Sequence, residues 1–300
     1  MTRNPYVTNM MKKSVHPYLE SYSLVVRFFC DLCKELNYHG NTRKYLTSNE
    51  YQLLKAYYHE LNYKTVEHVA HWRASQLQHV AKHIMSYKKP PWILDAGCGL
   101  GSELIFFSLL GAKVVGIDIN RERLHIAKKR VEYYEEKYNR LLHVEFLLKS
   151  ILEFCEYEEF NLVWSNQSIS HIHPIEDFLK VAWGNLKDGG HLIICDSNNL
   201  NPYISFQAWL VHHKGGLYTV VEDPNTSEPV PYARENYVNP LLLKSLLRKF
   251  HYDIRLVKYH GFMPPRFSTK VLRFIEKTLA SIPFICLAAG SYIVIGKKVK

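Results

Sequence analysis

Two apolar runs, each ending in an acid and joined through a glycine turn, constrain this chain more than any other feature. Ile93-Leu94-Asp95 closes the first run, Ala96-Gly97-Cys98-Gly99-Leu100-Gly101 turns it, and Val114-Val115-Gly116-Ile117-Asp118 is the second. A helical pattern lies between them, which is the order of a βαβ unit. Glycines at a strand-to-helix turn let backbone approach a ligand, and the helix that follows points its amide ends at the same place. The spacing is Gly-x-Gly-x-Gly, not the Gly-x-Gly-x-x-Gly of dinucleotide binders. The unit therefore suits a nucleoside-type ligand other than a dinucleotide.

The pattern repeats downstream. Strands are expected at 92–96, 113–118, 143–148, 160–165 and 190–196, with helices at 101–110, 120–137 and 174–186 between them. Such alternation predicts a parallel sheet with helices on both faces, and strands rich in Ile, Val, Leu and Phe fit a sheet covered on both sides. Lys187-Asp188-Gly189-Gly190 reads as a turn before the fifth strand. Residues 197–238 are mixed, with Pro224, Pro229 and Pro231, and suggest a lid or substrate insertion at 197–240. A helix at 239–250, a strand at 253–259, a helix at 269–280 and a strand at 291–297 complete the domain. Upstream, residues 1–88 read as an N-terminal helical cap with helices at 20–36, 48–60 and 65–86, and Ser48 and Thr65 are the capping candidates. Lys88-Lys89-Pro90-Pro91 breaks that region, so the second domain is set at 89–300.

The glycine turn with its two acids resembles motif I of the class I S-adenosylmethionine-dependent methyltransferases. The resemblance implies an α/β fold, a Rossmann-like, doubly wound, mostly parallel seven-stranded sheet whose last strand is inserted antiparallel. It implies S-adenosyl-L-methionine as cofactor and no metal. Asp95 would take the ammonium, directly or through water, and Gly97, Cys98, Gly99 and Gly101 would form the turn around the ligand. Asp118 would accept the ribose hydroxyls, Ile119 would flank the adenine, and Ser150 and Ile151 would meet the adenine amine. Ser150 stands where the family often has an acid, so that contact is weaker. Asn166, at the end of the fourth strand, completes the cofactor set.

The segment Ser165-Asn166-Gln167-Ser168-Ile169-Ser170-His171-Ile172-His173-Pro174 lacks the Asn-Pro-Pro-Tyr pattern of enzymes that methylate exocyclic amines of adenine. It resembles the branch that acts on small molecules and lipids. An imidazole titrates near neutrality, so His171 can serve as general base on the acceptor; packing at the strand–helix junction is an equal reading. His173 is expected to cap the next helix. In Asp196-Ser197-Asn198-Asn199-Leu200-Asn201-Pro202, Asn198 or Asn199 either faces substrate or caps the loop. The cap's aromatics, among them Tyr57, Tyr58, His59, Tyr63, His71 and Trp72, either close the site or pack between helices.

Lys and Arg outnumber Asp and Glu by 38 to 28, a net charge of +10 that favours anionic partners. The basic residues are dispersed and no RNA-binding motif is appended, so a small-molecule or lipid-linked acceptor is expected and RNA is the alternative. The apolar, basic stretches 203–210 and 262–295, with Arg266, Lys270, Arg273 and Lys277, point to peripheral membrane contact. Residues 279–295 carry no charge but are short for a span and broken by Pro283 and Gly290, so a terminal strand is expected there. Residues 1–13 are polar and basic with no apolar core, and the six cysteines show no disulfide framework; both imply a cytoplasmic protein. Cys30-x-x-Cys33 has no second pair and reads as core-facing.

Overall fold

The computed structural model describes residues 17–37, 44–156, 158–222, 229–262, 274–276, 278–279, 281–282 and 284–299. Three helices, α1 (Pro17–Asn37), α2 (Ser48–Tyr57) and α3 (Val66–Ser86), precede β1 (Trp92–Ala96). Then come α4 (Ser102–Leu109), β2 (Lys113–Asp118), α5 (Arg121–Tyr138), β3 (Val144–Leu148), β4 (Phe160–Asn166), α6 (Ile175–Asn185) and β5 (Leu186–Ser197). The chain continues through α7 (Pro202–Gly215), β6 (Tyr218–Glu222), β7 (Pro229–Ala233), α8 (Pro240–Lys249), β8 (Tyr252–His260) and β9 (Ser291–Lys298).

The main sheet has seven strands in the order β3-β2-β1-β4-β5-β9-β8. Strands β1 to β5 run parallel, and β9 is inserted antiparallel between β5 and β8. This is the fold the glycine motif implied. Alternate residues of each strand enter opposite cores, as strand geometry requires. Ile93, Leu162, Trp164, Ile193, Cys195 and Ile293 join one cluster with residues of α1 to α5. Leu94, Val163, Leu192, Ile194 and Val294 face the other side, against Phe178, Leu179 and Ala182 of α6 and Leu243, Leu246 and Leu247 of α8.

Helices α1 to α3 thus share a hydrophobic cluster with α4 and α5, and polar ties fix them there. Glu35 on α1 meets Arg130 on α5 in a two-point pair, Nε to Oε1 at 2.7 Å and Nη2 to Oε2 at 3.0 Å, with both side chains 1% exposed. Tyr134 donates its hydroxyl to the same carboxylate at 2.9 Å. On α2, Lys129 of α5 donates to Glu50 at 2.7 and 2.9 Å. Burial raises the Glu50 carboxyl, but the Lys129 ammonium and the Thr47 N–H outweigh it and hold it down at about 2.

Several local expectations are corrected. The cap of α2 is Thr47, not Ser48: Thr47 Oγ1 accepts from Glu50 N–H while the Glu50 carboxylate accepts from Thr47 N–H, a capping box. Thr65 precedes α3 but makes no side-chain cap bond, because its hydroxyl donates to the Glu60 carbonyl instead. Pro174, not His173, precedes α6, and the His173 ring lies against Tyr218 at 4.3 Å. The expected turn at 187–190 lies inside β5: Leu186 pairs with Phe160 and His191 with Leu162, so the intervening residues bulge opposite Asn161. The region 197–240 is more ordered than its composition implied, holding α7 and an antiparallel β6–β7 hairpin. Of the expected helix at 269–280, residues 274–276 and 278–279 are helical; Arg266, Lys270, Arg273, Lys277, Pro224 and the segment 1–13 lie outside the described residues. Among the described residues, no helix is long and apolar enough to cross a membrane.

Candidate functional site

The carboxyl ends of β1, β2, β4 and β5 converge beside the glycine turn, where open parallel sheets bind ligands. The turn is tight: Gly97 and Cys98 both donate N–H to the Ile117 carbonyl at 2.8 and 3.0 Å, and Gly101 donates to the Cys98 carbonyl at 2.9 Å. Gly97 has φ +79°, and a Cβ there would stand 2.6 Å from Cβ of Ser168. Gly99 has φ +52°, and its Cβ would stand 2.7 Å from the Tyr57 hydroxyl of α2. Both positions require glycine, for conformation and for space. The Cys98 side chain packs instead onto Gly116 of β2, so any ligand contact at Cys98 is through backbone.

Three carboxylates gather here. Asp95 is buried at the end of β1, and among the described residues no donor meets its carboxylate. Burial pushes its carboxyl well above the usual range, and the nearby Glu103 and Asp118 push it further. Asp118 accepts N–H from Gly99 at 2.9 Å and from Asn120 at 2.8 Å, which leaves lone pairs on both oxygens. Glu103, in the first turn of α4, accepts from Asn166 Nδ2 at 3.0 Å and lies 3.9 Å from Arg73 of α3. The other end of that amide, Asn166 Oδ1, is buried and finds no partner among the described residues. A cradle with an uncompensated acid and an orphaned acceptor calls for a cationic ligand rich in N–H donors. The ammonium and sulfonium of S-adenosylmethionine answer that description, so the residues present fit the cofactor that the motif implied.

Ile119 is half-buried just past Asp118. Ser150 caps the short 3-10 turn Ile151–Glu153 by accepting N–H from Leu152 at 3.3 Å, and both Ser150 and Ile151 are buried.

The loop after β4, expected to face the methyl acceptor, carries His171. His171 donates Nδ1–H to the Ala233 carbonyl at 3.1 Å, since a carbonyl can only accept, and Nε2 keeps its lone pair. Its ring stacks on Tyr232 at 5.1 Å and 10°. The hairpin thereby becomes part of the site: Ile172 bridges Tyr232, Ala233 N–H donates to the His171 carbonyl and Asn236 N–H to the Ser170 carbonyl. Tyr232 is raised by burial, with Arg123 opposing and Glu235 and Asp118 adding, which sets its hydroxyl in the field of Asp118.

Four site residues were not singled out from the sequence: Glu103, Asp196, Tyr232 and Arg73. Asp196 is fully buried at the end of β5 and accepts N–H from Ser197 at 2.7 Å and from Ser170 at 3.1 Å, so it anchors the loop that carries His171. Burial lifts its carboxyl to about 7 against those two N–H groups. Asn198 and Asn199 are loop caps: Asn198 Nδ2 donates to the Leu287 and Ala289 carbonyls and Asn199 Nδ2 to the Tyr237 carbonyl. On the cap side, the Tyr58 and Ser102 hydroxyls share a 2.6 Å hydrogen bond, and Arg130 Nη1 donates to the Leu100 carbonyl inside the glycine turn.

Comparison with known proteins bears on the family and the fold. The family described as "Methyltransferase domain" matches residues 89–230. The human arsenite methyltransferase is 34% identical over 113 residues, covering 35% of this chain and 30% of that protein. The mitochondrial ubiquinone biosynthesis O-methyltransferase of Rattus norvegicus is 32% identical over 165 residues, covering 52% of this chain and 42% of its own length. The chain thus spans less than half of either relative. In fold, it resembles phosphoethanolamine N-methyltransferase 2 of Haemonchus contortus, solved in complex with S-adenosyl-L-methionine, with TM-score 0.50, 19% identity, 75% of this chain covered and 53% of that one. Residues 89–230 thus match the methyltransferase-domain family, within a sheet of the Rossmann-like methyltransferase order.

Proposed function

We propose that this protein transfers a methyl group from S-adenosylmethionine to a hydrophobic small-molecule or lipid-linked acceptor. The observation that carries the reading is the anionic cradle: buried, unpaired Asp95 beside Glu103, Asp118 and the orphaned Asn166 carbonyl. Bound there, S-adenosylmethionine supplies a methyl group already activated by its sulfonium centre. The chain's own work is then alignment and exclusion of water. Asp95 and Asn166 hold the ammonium end, and Asp118 accepts the ribose hydroxyls through its remaining lone pairs. Tyr57, over Gly99, and the α1–α3 layer cap one side. The β6–β7 hairpin closes the other through its bonds to residues 170–172. His171 Nε2, free to accept because Nδ1 donates to Ala233, takes the proton of the acceptor hydroxyl or amine.

The similarity to arsenite and ubiquinone-biosynthesis methyltransferases favours a small molecule over RNA as acceptor. A cytoplasmic setting with peripheral membrane contact completes the proposal; free thiols at Cys30, Cys33, Cys98, Cys155 and Cys195 fit a reducing compartment. The test is incubation with methyl-labelled S-adenosylmethionine and separated small-molecule, lipid and RNA fractions. Label in the small-molecule or lipid fraction is expected; label confined to RNA would refute the acceptor class.

A further inference from the structure

Helix α7 is apolar along its length yet leaves almost all of it in solvent. Ala208 is its single buried residue, while Tyr203 is 67% exposed and Phe206 and Trp209 are each 55% exposed. Spacings of three and four place Tyr203, Phe206, Trp209, Leu210 and His213 on one helix face. The rings on that face stack on each other: Phe206 on Trp209 at 5.8 Å and 20°, and Trp209 on His213 at 5.3 Å and 18°. Among the described residues, nothing in the packing accounts for a 14-residue helix with this much aromatic surface in water.

The patch extends beyond α7. Asn201, which caps the helix, donates Nδ2–H to the Ala288 carbonyl, so the segment before Ala288 lies beside the start of α7. That segment carries Phe284, 84% exposed, and Ile285, also exposed. At the other end, His212, His213 and Lys214 fill the last turn, and the Arg234 guanidinium lies against Gly215. No acidic residue occurs on the helix.

We infer that α7, with Phe284 and Ile285, is a docking face for an anionic lipid bilayer. Aromatic rings beside the Lys214 and Arg234 cations suit the headgroup boundary, where ring bodies bury and cations meet phosphate. The chain's net charge of +10 draws it to such a surface and opposes a second copy of itself at the same face. The inference rests on the proposed acceptor class and deepens it. His212 Nε2 bonds the Arg234 carbonyl at 2.6 Å, one residue from the carbonyl that holds His171. The last turn of α7 is thereby tied to the same end of β7 that holds His171.

The full chain is floated with vesicles of phosphatidylcholine, with and without phosphatidylglycerol, beside Phe206→Glu/Trp209→Glu and Trp209→Ala. Binding that requires the anionic lipid, falls with salt, and drops about tenfold or more in each variant is expected. Calorimetry with S-adenosylmethionine checks that each variant is folded and separates the two proposals. Vesicle binding without cofactor binding would remove the methyl-transfer reading and leave this one. A folded wild-type chain that ignores anionic vesicles overturns the docking face. So does a wild-type dimer in sedimentation velocity that Phe206→Glu/Trp209→Glu converts to monomer, since a second copy would then be the occupant.

Discussion

Replacing Glu35 by Gln tests how the helical layer is joined to the cofactor turn. The change keeps the shape and removes the charge opposite Arg130, leaving a buried guanidinium without its counter-ion. Glu35 accepts three bonds, from Arg130 Nε and Nη2 and from the Tyr134 hydroxyl. A glutamine has one oxygen for them, and its NH2 group must face a donor. Each charge-assisted bond is worth about 1.5–3 kcal/mol, and breaking a buried pair from one side costs about 3–5 kcal/mol. For a chain of this size, that lowers Tm by roughly 6–10 °C, read by calorimetric or circular-dichroism melting. The double change Glu35→Met/Arg130→Met removes both charges and should recover most of that loss, since apolar replacement of a buried pair is often neutral. The same double variant also removes the Arg130 bond to the Leu100 carbonyl, so its affinity for S-adenosylmethionine should stay below wild type after stability returns. A single variant melting within about 2 °C of wild type would refute the reasoning. So would a double variant as unstable as the single one.

Two further outcomes follow from the site and its supports. His171→Ala should slow methyl transfer by about 10²–10⁴-fold while leaving cofactor affinity intact, measured by initial rates and calorimetry; an unchanged rate would dismiss the base role. Glu50, held down at about 2 in the folded state against an ordinary 4.5, contributes stability above pH 4.5 that is lost as pH falls toward 2. Its share is no more than about 3 kcal/mol, so urea unfolding should show Glu50→Gln less stable than wild type at about pH 6 and nearly equal at about pH 2. A gap that persists in acid would place the effect elsewhere.

What the sequence made legible was what repeats. Strands β1, β2, β4 and β5 announce themselves because both faces are buried, the edge strand β3 shows only the apolar run Phe146-Leu147-Leu148, and Asp95, the glycines and Asp118 lie in one contiguous motif. Residues that act through tertiary contact left little signal. Glu103 reads as an ordinary acid in a helix's first turn, and only the fold brings it to Asp95 and Asn166. The β6–β7 hairpin was hidden by Pro229 and Pro231, which forfeit N–H donors and so read as loop; both stand in β7 of an isolated two-stranded ribbon. Tyr232, and with it the stack on His171, was hidden by the same prolines. Helix α7 lacks a buried stripe, so the periodicity that marks other helices is missing; Asn201 as cap and Pro202 in the first turn were its only markers. The turn expected at 187–190, ahead of the fifth strand, lies instead within β5, because Leu186 already pairs with Phe160.

Buried Asp95, which no donor meets among the described residues, stands ready to meet a cation, and Asp95→Asn tests this. Opposite signs are expected in one protein. Without ligand the variant should melt higher than wild type, because a carboxyl that burial, Glu103 and Asp118 make costly to ionise is gone. Its affinity for S-adenosylmethionine by calorimetry should fall by about 10- to 100-fold, the loss of one charge-assisted contact. Unchanged affinity, or a variant less stable than wild type with affinity intact, would contradict it.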